Sequence, residues 1–137
     1  LTVKTRAQTE LVDITAEVGR RVAESGARQG LCLVYVPHTT AGVTINENAD
    51  PSVRADLLMV LNQMVPWKAD YRHGEGNSPA HAKATLVGAS QTIAVEDGRL
   101  VLGTWQGIFF CEFDGPRRRA VHVRILEGLF QEKEPQR

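Results

Sequence analysis

The chain has 137 residues, the length of one domain, and its 42% hydrophobic content excludes a disordered polymer. Lysine plus arginine and aspartate plus glutamate number 16 each, so the formal net charge of zero argues against a general nucleic-acid binder, which is normally basic. No apolar run approaches the roughly 18 residues that span a bilayer, so no membrane partner is expected.

Residues 1–5 and 10–14 alternate like strands, the first of them suited to a sheet edge. Asp13 or Thr15 can cap a helix to about Ser25, with Val18 and Val22 one turn apart and Gly26 as its stop. Residues 31–36 are continuously apolar between Gly30 and Pro37 and predict a buried strand; 43–46 predict a short one. Asp50-Pro51 is a helix start, because aspartate accepts from free amides and proline suits the first helical position. That helix runs to Val65 with a stripe of Leu57, Leu58, Leu61, Met64 and Val65, and Met59 and Met64 are expected in the core. Pro66 stops it. Residues 67–78 predict a loop, and Ser78-Pro79 repeats the cap-and-proline start, with Ser78 as cap of a short helix to about Val87. The remainder is β: strands over 92–95 and 99–102 flank the hairpin signal Asp97-Gly98, and 108–113 and 120–126 follow. The tail from Gln131 is charged and expected to fray. Helices early and a meander late give an α+β class, in one domain over residues 1–137.

Cys32 and Cys111 lie in apolar runs and read as small buried hydrophobes, with no disulfide or zinc-knuckle spacing. With no signal-peptide core at the start of the chain, a reducing, cytoplasmic setting is expected.

Polar side chains cluster at element ends, where a site is more economical than a framework. His38 ends a buried strand, and Thr39 and Thr40 add hydroxyls and amides, with a locally capped turn as the plainer alternative for the threonines. Glu47 and Asn48 precede the Asp50 cap and have no structural duty there; such oxygens suit Mg²⁺. His73 and Glu75 alternate in the central loop, and His81 lies about one turn into the next helix. If His38, His73 and His81 converge they can hold a divalent metal such as zinc; general acid–base, hydrogen-bonding and structural roles stay open. Lys83 can swing toward an anion or be solvated, and His122 suits a structural place or a subunit contact. Trp105 offers a flat surface for a ring and Gln106 a two-way hydrogen bond, with a core tryptophan the plain alternative. Arg117 and Arg119 can clamp a phosphate.

Four blocks together resemble the YjbQ family, the so-called secondary thiamine-phosphate synthases. They are the run from His38 to Asp50, Tyr71-Arg72-His73 through Glu75-Gly76, Pro79-Ala80-His81-Ala82-Lys83, and Ser90 through Gly103-Thr104-Trp105-Gln106-Gly107-Ile108. The resemblance covers nearly the whole chain. It implies a compact α+β fold with mixed or antiparallel sheets and about three helices, the sheets packing around a threefold axis in a homotrimer. It implies a polar pocket holding the histidines, and a reaction joining an aminopyrimidine diphosphate to a thiazole phosphate with release of diphosphate. The loop after Gly76 is shorter than in some relatives, and the stretch from Glu112 to Arg117 replaces a His- and Gly-containing one. The expected function is thus a small enzyme acting on a phosphorylated metabolite. A metal-dependent hydrolase and a non-catalytic metal- or anion-binding module are the alternatives.

Overall fold

The computed structural model of the chain describes residues 1–128, so the tail expected to fray from Gln131 lies outside the described residues. In chain order the elements are β1 (Thr2–Lys4), β2 (Glu10–Asp13), α1 (Thr15–Ser25), β3 (Gly30–Tyr35), β4 (Ala41–Glu47), α2 (Pro51–Met64), α3 (Ser78–Val87), β5 (Ser90–Glu96), β6 (Arg99–Leu100), β7 (Gln106–Glu112), β8 (Arg118–Ala120) and β9 (His122–Glu127). The strands form a β1–β8 ribbon, a three-stranded sheet β2–β7–β4 and a four-stranded sheet β6–β5–β3–β9. Every pairing is antiparallel. The class is α+β, as the sequence predicts.

The two larger sheets face each other. Cys32, Val34, Ile93 and Val95 of one meet Val43, Ile108 and Phe110 of the other, with Val18 and Val22 of α1 packed alongside. The opposite face of β7 presents Phe109 and Cys111, joined by Phe113, to Ala80 and Ala84 of α3 and to Leu57, Leu58 and Leu61 of α2. Side chains on a strand alternate between faces, and here both faces are covered. That is why residues 108–111 read as one unbroken apolar run. Both cysteines are buried and free, as the sequence suggests. Burial pushes the Cys111 thiol up to about 12, so it stays protonated.

The local signals act as their chemistry requires. Asp50 caps α2 by accepting from the Ser52 amide at 2.9 Å, and Gly26 ends α1 in the left-handed conformation at φ 75°. Asp97 and Gly98 both take positive φ, 51° and 74°, as the tight hairpin demands. Three expectations are corrected. Met59 and Met64 are 50% and 64% exposed, because α2 lies on the outside and buries only its leucine edge. The 120–126 strand breaks at the buried Val121, where the chain leaves the ribbon (β8 with β1) for the four-stranded sheet (β9 with β3). The cap of α3 is Asn77, not Ser78, and its amide is used elsewhere. No helix among the described residues is long and apolar enough to cross a membrane.

Candidate functional site

A groove opens where β3, the start of β4, the 73–81 segment and the strand end around Glu112 meet. Its main lobe has a volume of about 450 Å³ and is bordered by His38, Thr39, Thr40, His73, Glu75, His81, Arg117 and Arg119, with Asn77. A second lobe of about 430 Å³ shares His38, Thr39 and His81 and runs on to Ala84, Thr85 and Ala89. Each lobe is the size of a small-ligand site. Eight of the thirteen site residues named from the sequence border the groove.

One local segment supplies four of its walls. The amide of Gly76 donates to the His73 carbonyl at 3.1 Å, and Gly76 takes φ 76°, so residues 73–76 turn tightly and hold Glu75 beside His73. Asn77 follows at the start of α3, and its carbonyl accepts from the amides of Ala80 and His81. This lifts His81 toward His73: the two rings stand edge to face with centroids 5.4 Å apart.

The floor is a buried ion pair. Glu112 is fully buried and Arg119 is 4% exposed. The Arg119 Nε donates to Glu112 Oε1 at 2.8 Å and Nη2 bonds Glu112 Oε2, while Nη2 also reaches the Thr40 hydroxyl at 2.9 Å. Thr5 donates its hydroxyl to Glu112 at 2.8 Å, and the amides of Phe113 and Asp114 donate to Oε2 at 3.1 Å each. Burial alone would raise the Glu112 pKa, but these donors and the Arg119 charge hold it below 4.5. A Cβ on Gly115 would lie 2.4 Å from the Ala7 carbonyl oxygen and 2.7 Å from Glu112 Cγ, so only glycine fits against this network.

At the rim, Arg117 bonds Asp114 through both Nη2 and Nε, each at 2.8 Å. Asn77 donates to the same Asp114 carboxylate at 2.9 Å, leaving its buried Oδ1 without a partner among the described residues. The two arginines therefore do not assemble into a free phosphate clamp; each is matched by its own carboxylate. Burial and then the Arg119 charge lower the His38 pKa below 6.5, and its Nε2 accepts from the Ala120 amide at 3.0 Å. Among the described residues, no three His, Cys, Asp or Glu side chains stand together as a metal site.

The other five residues lie elsewhere. Lys83 is 2% exposed and points away to Asn62 of α2, bonding its Oδ1 at 2.5 Å; burial lowers its pKa. Glu47 and Gln106 pair at the far end of the β4–β7 ladder, whose near end is Ala41 opposite Glu112. Six residues of strand separate those ends by about 20 Å. Asn48 packs over Gly107, where a Cβ would come within 2.6 Å of its amide nitrogen, and Trp105 is 63% exposed beside it. Thr5, Asn77, Glu112 and Asp114 were missed from the sequence. A carboxylate inside the apolar 108–113 run was the available signal, since a buried charge requires a partner.

A family model described as "UPF0047 protein YjbQ-like" matches residues 1–128. The UPF0047 protein MJ1081 of Methanocaldococcus jannaschii is 55% identical over 124 residues, 90% of each chain. The UPF0047 protein YugU of Bacillus subtilis is 53% identical over 127 residues, 92% of this chain and 96% of YugU. A crystal structure of the YugU ortholog from Clostridium acetobutylicum superposes with a TM-score of 0.91 at 54% identity, covering 92% of this chain and 98% of that one. A YbjQ-like protein of unknown function from Sulfolobus solfataricus gives a TM-score of 0.90 at 39% identity, covering 93% and 94%. Matched along its described length in sequence and in fold, the chain belongs to the YjbQ/UPF0047 family.

Proposed function

We propose that the groove is the active site of a small-molecule enzyme whose substrate is a phosphorylated metabolite met by a divalent metal on His73 and His81. The observation that carries this is the histidine pair. Two imidazoles on one tetrahedral zinc, with Zn–N about 2.1 Å, place their centroids about 5 Å apart. The observed 5.4 Å is close to that spacing. Glu75 borders the same lobe but does not stand with the two histidines as a three-ligand group, so water and the phosphate would fill the remaining positions. A bound divalent ion would supply the positive charge that a phosphate or diphosphate needs. That charge matters because Arg117 and Arg119 are already matched by Asp114 and Glu112.

In the transferase reading drawn from the family resemblance, the pyrimidine C–O bond breaks, diphosphate leaves with the bonding electrons and a thiazole nitrogen attacks the carbon. The groove would hold the diphosphate against Thr39 and the partly free Arg117. The hydrolase reading keeps the groove and replaces the thiazole by water. For Glu47, Asn48, Trp105 and Gln106 to take part, a second copy must carry them to the groove, which the proposed homotrimer would do. The exposed apolar side chains of Leu33, Tyr35 and Leu126 on the outer face of the four-stranded sheet support such an assembly.

The test begins with elemental analysis of untagged protein purified without chelator. About one zinc or similar metal per chain, lost in His73→Ala and His81→Ala, supports the metal; none in the wild type refutes it. Diphosphate release from an aminopyrimidine diphosphate then separates the readings. Release only when thiazole phosphate is present marks a transferase, and release without it a hydrolase. No turnover but stabilisation by ligand, about 2.7 kcal/mol at a hundredfold excess over Kd, marks a binding module and refutes the enzyme reading.

A further inference from the structure

We infer that His38 is not a metal ligand but a tautomerically fixed hydrogen-bond donor, which presents Nδ1–H to a phosphate oxygen of the ligand. The inference rests on the groove being a small-molecule site, and not on the metal.

The Ala120 amide is fixed by its neighbours. Ala120 ends β8, a strand that among the described residues pairs on one side only, with β1. On either side of it in the chain, Arg119 is tied to Glu112 and Val121 is fully buried. The Ala120 backbone therefore cannot turn away, and its N–H points at His38 Nε2, 3.0 Å off. An N–H donates only to a nitrogen that carries a lone pair. A neutral imidazole has one protonated nitrogen and one bare one, so a bare Nε2 puts the proton on Nδ1.

Nδ1 has no acceptor among the described residues, and it is not among the buried polar atoms left without a partner. It is thus open to solvent, and His38 borders both lobes of the groove. The result is one immobile N–H at the junction of the two lobes. For His38 to bind a metal through Nδ1, its proton would have to move to Nε2, against the Ala120 N–H. Two donors would then face each other, and the amide would lose its partner. This divides the three histidines: His73 and His81 have the spacing of a chelating pair, whereas His38 is committed to donating. A phosphate oxygen is the matching acceptor, and Thr39 beside it offers a second donor.

The first test is long-range proton–nitrogen correlation on protein with 15N-labelled histidine. The expected result is one ring with a protonated, pyrrole-type Nδ1 and a bare, pyridine-type Nε2, missing from the spectrum of His38→Gln. The Nε2–H form at His38, or an averaged signal, overturns the inference. Adding inorganic phosphate should shift that Nδ1 proton, and a resonance left unmoved overturns the donor role. Metal analysis keeps this inference separate from the proposed metal. Glutamine can place an acceptor near the Nε2 position, so His38→Gln should keep the wild-type zinc content while His81→Ala loses it. Equal loss in both overturns the assignment of His38 and leaves the metal standing. A wild type without zinc sinks the metal, and the spectrum still decides the tautomer.

Discussion

Replacing Glu112 by glutamine changes two atoms' chemistry and almost no volume. The carboxylate accepts from five donors: the Thr5 hydroxyl, Nε and Nη2 of Arg119, and the amides of Phe113 and Asp114. Glutamine has one acceptor oxygen. If that oxygen keeps Thr5 and the Arg119 Nε, its NH₂ must face the Arg119 Nη2 and two backbone N–H groups, donor against donor. The Arg119 charge, 4% exposed, then has no counter-ion. Breaking one side of a buried pair costs about 3–5 kcal/mol, because the other charge stays buried. For a chain of this size each kcal/mol shifts Tm by about 3–4 °C, so a fall of roughly 9–20 °C is expected. Urea unfolding followed by circular dichroism gives the free energy, and a thermal scan gives Tm. The double variant Glu112→Leu/Arg119→Met should be less damaged than Glu112→Gln alone, since no charge is left uncompensated. A loss below about 1 kcal/mol in the single variant would mean that Arg119 is solvated or paired elsewhere, and the reasoning about the groove floor would fail.

Three further outcomes follow from the same contacts. His38 has its folded pKa below the unfolded 6.5, so the unfolded chain binds the extra proton first and stability falls as pH drops below 6.5. Glu112 has its folded pKa below 4.5, so its contribution is intact above 4.5 and is lost as pH falls further. Denaturation midpoints from pH 8 to 4 should therefore lose their upper limb in His38→Gln, and an unchanged profile would contradict the burial of that ring. Lys83→Met should keep stability within about 1 kcal/mol of wild type or raise it, because the buried ammonium meets only one neutral acceptor among the described residues. It should also leave phosphate binding intact, and calorimetry showing lost binding would return Lys83 to the site. Gly115→Ala should cost about 2 kcal/mol or more in chemical unfolding, since the new methyl meets backbone oxygen at 2.4 Å; a neutral result would show that the Ala7 turn can yield.

Local chemistry was legible wherever the deciding partner is near in sequence. Asp50-Pro51 starts α2, Gly26 ends α1 and Asp97-Gly98 turns the hairpin, because a cap or a positive φ needs only its immediate neighbours. Apolar runs marked β3 and β7 for the same reason; β7 is covered on both faces, whereas β3 buries one face and leaves Leu33 and Tyr35 exposed on the other. The residue types at the ends of elements also pointed to His38, His73 and His81, which the fold does bring to one groove. What the sequence left open depends on contacts across many residues. Arg119 reads as a phosphate ligand until Glu112, seven residues before it in the chain but on another strand, is seen to occupy it. Glu47 and Gln106 read as site residues until the β4–β7 register carries them to the end opposite Glu112. The stripe of α2 reads as core until the packing of Phe109 against its leucines leaves Met59 and Met64 outside. In each case a side chain's type was fixed by sequence, but its partner was chosen by tertiary packing. Burial makes that choice binding, because a charge or a polar atom removed from water must be met by whatever the fold places within hydrogen-bond reach.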